Sequence, residues 1–155
     1  MSVKSTVRKQ YVQIINSAAQ QLASLKKPSE GWLSVLRKAL GMSGAQVAMR
    51  AGVTRSAIHQ AERNEANGAI TIKQMQKFAE AMGGRFVYAI VPERGEVADI
   101  IQLQARRKAE ARVVRASAHM ALENQSLTSK QQAQRINDLA DELIREMPSD
   151  FWEVK

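Results

Sequence analysis

Residues 43–62, with the sequence SGAQVAMRAGVTRSAIHQAE, restrict the fold of this chain more than any other segment. Ala48 is small enough for two helices to cross closely, and Gly52 can adopt the left-handed conformation of a tight turn between them. Val53 and Ile58 are spaced to fill the angle that two such helices would make. The pattern therefore predicts two short helices, 44–51 and 55–63, joined by a tight turn.

The polar residues of this segment fit a helix-turn-helix that binds DNA. Ser43 and Thr54 are placed to cap the two helices. On the second helix, four hydrogen-bonding side chains share one outward face, as reading of the major groove requires. We call Arg55, Ser56, His59 and Gln60 the reading face and predict that they contact bases. For His59, a buried and hydrogen-bonded histidine is the alternative.

The charge distribution supports a polyanionic partner. The chain has a net charge of +8, and residues 1–90 hold 13 basic against 4 acidic residues, whereas residues 91–155 hold 10 against 11. The predicted phosphate contacts are Thr54, Gln46, Lys38, Arg50 and Arg63, and the further candidates are Lys26, Lys27 and Arg37. For each cation, a solvated surface charge is an equal alternative. Glu62 is expected to orient the loop that follows it.

Several protein classes are disfavoured by composition. The chain has no Cys and only two His residues, without a carboxylate cluster beside them, so we expect no disulfide, metal or cofactor. No nucleophile–base pair or phosphate-binding glycine loop is recognisable, which makes an enzyme the least favoured class. No apolar run approaches the roughly 18 residues of a membrane span, and no signal peptide is apparent, so we expect a cytoplasmic protein without membrane contact.

The remaining sequence predicts a mainly α-helical fold. Helices are expected at 5–27, 29–40, 71–82, 95–124 and 130–146, the last with a capping box of Ser129 and Gln132. The helix at 29–40 should bury Trp32, Leu33, Leu36 and Leu40, and the helix at 71–82 should bury Met75, Phe78, Ala79 and Met82.

Residues 85–91 form the one predicted β-strand, because they are rich in β-branched and aromatic side chains. Such a strand has no partner in its own chain and is expected to pair with its copy in a homodimer. The alternative is a short extended segment packed on the helices. The predicted domains are an N-terminal helix (1–28), a DNA-binding domain with its terminal strand (29–92) and a C-terminal helical region for dimerisation or partner binding (93–155).

From Trp32 to Gly83 the chain resembles the Xre, or lambda-repressor-like, family of DNA-binding domains. The resemblance implies that the helix beginning at Arg55 enters the major groove and that the reading face contacts base edges. It also implies a phosphate near Thr54. The chain departs from the family at Gly44, where a Gln or a similar polar residue often contacts the DNA backbone or supports the recognition helix.

The segment His119-Met120-Ala121-Leu122-Glu123-Asn124 resembles the inhibitory helix of antitoxins of Fic proteins, which transfer AMP from ATP to hydroxyl side chains. The resemblance implies that Glu123, followed by Asn124, pairs with an Arg of a Fic active site and blocks the γ-phosphate of ATP. His119 stands where that motif has Ser or Thr. The whole chain is similar to the family called mobile mystery protein A, which accompanies a Fic-domain partner.

Three alternatives stay open for the C-terminal region. Glu123 can be an ordinary solvated carboxylate near a helix end. The chain can be a plain dimeric repressor whose C-terminal helices only dimerise. It can also be a repressor that senses a small molecule, although no pocket is visible in the sequence.

Overall fold

The computed structural model describes residues 3–122 and 128–153 of the chain. Seven helices occur within these two ranges, and they account for the mainly α-helical fold that the sequence predicts. They are α1 (Val3–Leu22), α2 (Trp32–Ala39), α3 (Gly44–Ala51), α4 (Arg55–Asn67), α5 (Ile72–Ala81), α6 (Val97–Leu122) and α7 (Ser129–Glu146).

The chain forms two compact units. One unit, Leu22–Ala89, contains α2 to α5, and we call it the helix-turn-helix unit. The other unit combines Met1–Gln21 with Ile90–Lys155 and contains α1, α6 and α7. We call it the long-helix unit. None of the described helices is long and apolar enough to span a membrane.

The helix-turn-helix unit has one hydrophobic core, to which all four of its helices contribute. Its buried members are Leu33, Val47, Ala48, Ile58, Ala61, Met75, Phe78 and Met82. The predictions for the buried face of α5 and for Leu33 are thereby confirmed. Those for Trp32 and Leu40, which are 40% and 47% exposed, are wrong. Trp32 is the first residue of α2 and Leu40 follows its last, so both lie at the ends of the buried stripe.

Helix α4 is one turn longer than the sequence predicts. The sequence prediction ends this helix at residue 63, but the helix continues to Asn67 and ends at Gly68 in a left-handed conformation with φ of 82°. Glycine tolerates this conformation, which explains why the turn lies there. The extra turn contains the buried Glu65.

No β-strand forms within the described residues, so the strand predicted at 85–91 is wrong for the single chain. The backbone hydrogen bonds of the described residues include none from this segment. A strand requires a neighbour to hydrogen-bond with, and this unit offers only helices. Phe86 packs against the core and stacks on Tyr88 with ring centroids 5.5 Å apart. Phe86 therefore fits the alternative prediction, a short extended segment that packs on the helices.

In the long-helix unit, α6 and α7 pack through small residues. Ala105 and Ala109 of α6 are fully buried together with Leu143 of α7 and Phe151, which follows it. The sequence prediction did not identify Phe151, because it lies beyond the proline that ends the helical pattern. The capping box of α7 consists of Thr128 and Gln131, and the predicted pair of Ser129 and Gln132 is wrong by one residue.

Helix α1 is shorter at its C-terminus than predicted. It ends at Leu22, whereas the pattern placed its end at Lys27 before the proline. None of its residues is buried. Within the long-helix unit, the Asn16 Oδ1 atom accepts a hydrogen bond of 3.0 Å from the backbone N–H of Val97 at the start of α6.

Candidate nucleic-acid interface

The α3–turn–α4 segment has the caps that the sequence predicts. Ser43 accepts a hydrogen bond from the backbone of Gln46, whose side chain bonds in return to the Ser43 N–H. Gly52 has a left-handed φ of 70° between the helices. Thr54 caps α4 and accepts from the Ala57 N–H at 3.2 Å. These local bonds fix the start of each helix and the turn between them.

The inner surfaces of α3 and α4 are apolar, which determines the outward direction of the reading face. Val47 and Ala48 of α3 are buried together with Ile58 and Ala61 of α4. Ile58 and Ala61 bury one side of α4, whereas Arg55, Ser56 and Gln60 on the same helix are exposed to solvent. The first turn of α4 is therefore available to a ligand.

The four members of the reading face do not have the same surroundings. Arg55, Ser56 and Gln60 are exposed, whereas His59 is half-buried. The Arg55 Nε–H donates to His59 Nε2 at 3.4 Å. His59 also lies against Gly44, where a Cβ atom would be only 3.1 Å from the ring. The structure thus brings Arg55 and His59 together, and it shows that His59 faces α3 as well as solvent.

Gln60 is hydrogen-bonded at both ends of its amide. Its Nε2 donates to Asn64 Oδ1 at 2.8 Å, and its Oε1 accepts from Arg63 Nη2 at 2.8 Å. All three side chains lie on α4 and are at least partly exposed. These bonds orient the amide and leave its second N–H and the second lone pair of Oε1 for a base contact.

Most predicted phosphate contacts also have a structural partner. Gln46 and Thr54 take part in the caps described above. The Arg50 Nε–H donates to the carbonyl of Ala81 at 2.6 Å, which links α3 to the end of α5. Lys38 pairs with Glu30 at 2.5 Å, and this hydrogen bond lowers the pKa of Glu30. Arg63 is the partner of Gln60.

The ion pair between Arg37 and Glu62 gives both residues a different role from the one predicted from the sequence. Arg37 of α2 bonds to Glu62 of α4 through Nε at 2.6 Å and Nη2 at 3.3 Å, and both side chains are only 15% exposed. The hydrogen bond to Glu62 raises the pKa of Arg37. Arg37 is thus engaged in holding α2 to α4, and Glu62 bonds to α2, whereas the sequence suggested a role in the following loop.

Glu65 is a structural residue that the sequence analysis missed. Helix α2 begins after Gly31, which has no side chain to cap it. The Glu65 carboxylate accepts from the backbone N–H groups of Trp32 at 2.6 Å and Leu33 at 2.9 Å. An acidic residue at the end of α4 therefore caps the start of α2. In the sequence, Glu65 is marked only by its position two residues before Asn67 and Gly68.

The proposed Fic-inhibitory residues are only partly described. Glu123 and Asn124 lie outside the described residues. His119 is exposed in the last turn of α6. Among the described residues, no group of three His, Asp or Glu side chains is arranged to hold a metal ion.

Comparison with known proteins finds a match for the helix-turn-helix unit. Residues 33–88 match the family model described as helix-turn-helix. The matched residues include α3 to α5, all of α2 except Trp32, and most of the segment that was predicted to be a strand. The match supports a DNA-binding transcription regulator. No curated protein and no solved structure matches the chain.

Proposed function

We propose that the protein is a sequence-specific transcription regulator that reads the major groove with the first turns of α4. The observation that carries this proposal is the capped α3–α4 pair, whose buried inner surface directs Arg55, Ser56 and Gln60 outward. In helix-turn-helix proteins the second helix lies in the major groove with its N-terminal residues at the base edges. The net positive charge of residues 1–90 supplies attraction to phosphates.

The proposal is tested by selecting an operator from random duplex DNA and measuring affinity by fluorescence anisotropy. We expect the selected duplex to bind about 10³-fold more tightly than a scrambled duplex of equal length and composition at the same salt concentration. Equal affinities for the two duplexes would exclude sequence-specific reading.

A homodimer that forms through residues 87–91 is the second part of the proposal. Val87, Tyr88 and Ile90 are 66%, 65% and 86% exposed. Their backbone is without hydrogen bonds among the described residues. Adjacent exposed apolar side chains on such a backbone are typical of a surface that a partner covers. Dimerisation would also present two copies of α4 to two half-sites.

Introducing charge into this segment should separate the two copies. We expect the wild type to sediment as a dimer and the Tyr88→Lys/Ile90→Asp variant to sediment as a monomer at the same micromolar concentration. The matched control is Met49→Lys, which adds charge at another exposed apolar residue, on α3. A monomeric wild type, or a variant that remains dimeric, contradicts a dimer through this segment.

The third part of the proposal is an antitoxin role, in which Glu123 holds a Fic-domain AMP-transferase inactive. It is supported by the likeness of residues 119–124 to the Fic-inhibitory motif. A second support is that α6, which leads to this motif, packs with α7 in a different unit from the reading face. Such an arrangement allows one chain to bind DNA and an enzyme through separate surfaces. The competing function is that of a plain dimeric repressor whose long helices only dimerise.

A pull-down from native cells followed by an AMP-transfer assay distinguishes these two functions. We expect a stoichiometric protein with the Fic signature to be recovered, and we expect its activity to be blocked by the wild type. Glu123→Gly should restore that activity, whereas the matched control Glu146→Gly, at the end of α7, should inhibit like the wild type. Equal inhibition by wild type and Glu123→Gly, or recovery of no Fic-domain protein, would favour the plain repressor.

A further inference from the structure

We infer that His59 is a positioning residue, which holds the Arg55 guanidinium in the orientation that reads a guanine. This inference deepens the proposed reading function and rests on it. In place of the base contact predicted from the sequence, it gives His59 an action through Arg55.

The contact between Arg55 and His59 follows from their spacing on α4. Residues four apart lie on one side of a helix, one above the other. The Arg55 Nε–H donates to His59 Nε2 at 3.4 Å. A ring nitrogen that accepts a hydrogen bond carries no proton, so this contact requires neutral His59 with its proton on Nδ1. In that state, Nε2 has no hydrogen to donate to a base.

Gly44 explains why the imidazole can occupy this place. Gly44 is the first residue of α3 and is buried. A Cβ atom there would lie 3.1 Å from His59 Cε1 and 3.2 Å from Nε2, which is closer than ordinary van der Waals contact. The ring thus fills the space that a side chain at position 44 would need. One side of His59 is held by α3 while the other side faces Arg55.

The remaining donors of Arg55 determine what it can recognise. Its Nε is directed at His59, and its Nη1 and Nη2 groups make no hydrogen bond within the described residues. Two parallel N–H donors at the end of a guanidinium match the O6 and N7 acceptors of guanine in the major groove. Arginine has a large rotamer entropy in the unbound state, and a side chain already held in place loses less of it on binding. His59 therefore favours guanine at the base pair that Arg55 contacts.

A double-mutant cycle tests this inference. The variants are His59→Phe, which keeps a ring against Gly44 but removes the acceptor, His59→Gln, whose amide oxygen restores an acceptor, and Arg55→Ala. Arg55→Ala first identifies the base pair at which the preference for guanine is lost. The affinity of each variant is then measured for the selected operator and for an operator in which that guanine is replaced by adenine. Circular dichroism melting confirms that each variant is folded.

We expect His59→Phe to reduce the preference for guanine about tenfold, which corresponds to one hydrogen bond to a charged group. His59→Gln should recover most of the preference. In the Arg55→Ala background, His59→Phe should have no further effect, because interacting residues are not additive. The inference would be overturned if His59→Phe kept the wild-type preference for guanine. It would also be overturned if His59→Phe lowered that preference further in the Arg55→Ala background. A wild type that does not distinguish operator from scrambled DNA would instead refute the reading function.

A measurement without DNA keeps the inference testable in that case. Nitrogen-15 NMR spectra identify which imidazole nitrogen carries the proton. At a pH where His59 is neutral, we expect the proton on Nδ1 and expect the Nε2 resonance to shift in Arg55→Ala. The exposed His119 serves as the internal reference. A proton on Nε2 of His59, or an Nε2 resonance unaffected by Arg55→Ala, would overturn the inference.

Discussion

Replacing Glu65 with alanine is expected to lower the free energy of unfolding of the helix-turn-helix unit by about 2–3 kcal/mol. The carboxylate accepts the N–H groups of Trp32 and Leu33, and its residue is buried. Alanine would leave both donors without a partner at the start of α2, where Gly31 supplies no side-chain cap. The loss also removes a negative charge from the positive end of the α2 dipole.

The measurement is urea unfolding followed by tryptophan fluorescence in a Trp152→Phe background, so that Trp32 alone reports on this unit. Glu65→Gln retains one acceptor and should cost about 1 kcal/mol. The matched control is Glu80→Ala, an exposed carboxylate on α5, which should change the unfolding free energy by less than about 0.5 kcal/mol. If Glu65→Ala and Glu80→Ala unfold at the same urea concentration, Glu65 does not stabilise α2.

Arg55→Ala should have the largest effect of any single substitution on DNA recognition. We expect it to remove about 1–3 kcal/mol of discrimination at one base pair, which is the range for a bidentate arginine–guanine contact. Its side chain is exposed in the first turn of α4 and bonds only to His59 among the described residues. The protein should otherwise remain folded, because Arg55 has no part in the core.

Lys38→Ala is the comparison that separates base reading from phosphate attraction. Lys38 is exposed and was predicted to contact a phosphate. Its removal should weaken binding to operator and scrambled DNA alike and reduce the log–log slope of affinity against salt by about one. Anisotropy titrations at several salt concentrations measure both effects. If Arg55→Ala shows this uniform pattern, Arg55 contacts the backbone and does not read a base.

The parts of the fold that local chemistry determines could be predicted from the sequence. Ser43 and Thr54 were expected as caps, and both accept the predicted backbone bonds. The turn at Gly52 was also expected, because its left-handed conformation suits glycine. Each of these features depends on residues within a few positions of one another, so the sequence order is enough to recognise them.

The features that were missed depend on distant partners. Glu65 caps a helix that begins more than 30 residues earlier, and nothing near Glu65 in sequence reveals this contact. The strand at 85–91 was predicted from residue preferences, with its partner strand expected in a second copy of the chain, and no strand forms there in the single chain. His59 was predicted to face the groove because its own helix leaves it outside, whereas its contact with Gly44 comes from α3.

The Arg55→Ala/His59→Ala double variant tests most directly whether α4 is the reading helix. Its affinity for the selected operator and for a scrambled duplex should be compared with that of the wild type by anisotropy at one salt concentration. We predict that the double variant loses at least tenfold of the wild-type preference for the operator while its affinity for scrambled DNA changes much less. Unchanged affinity and specificity in the double variant would contradict the assignment of α4 as the reading helix.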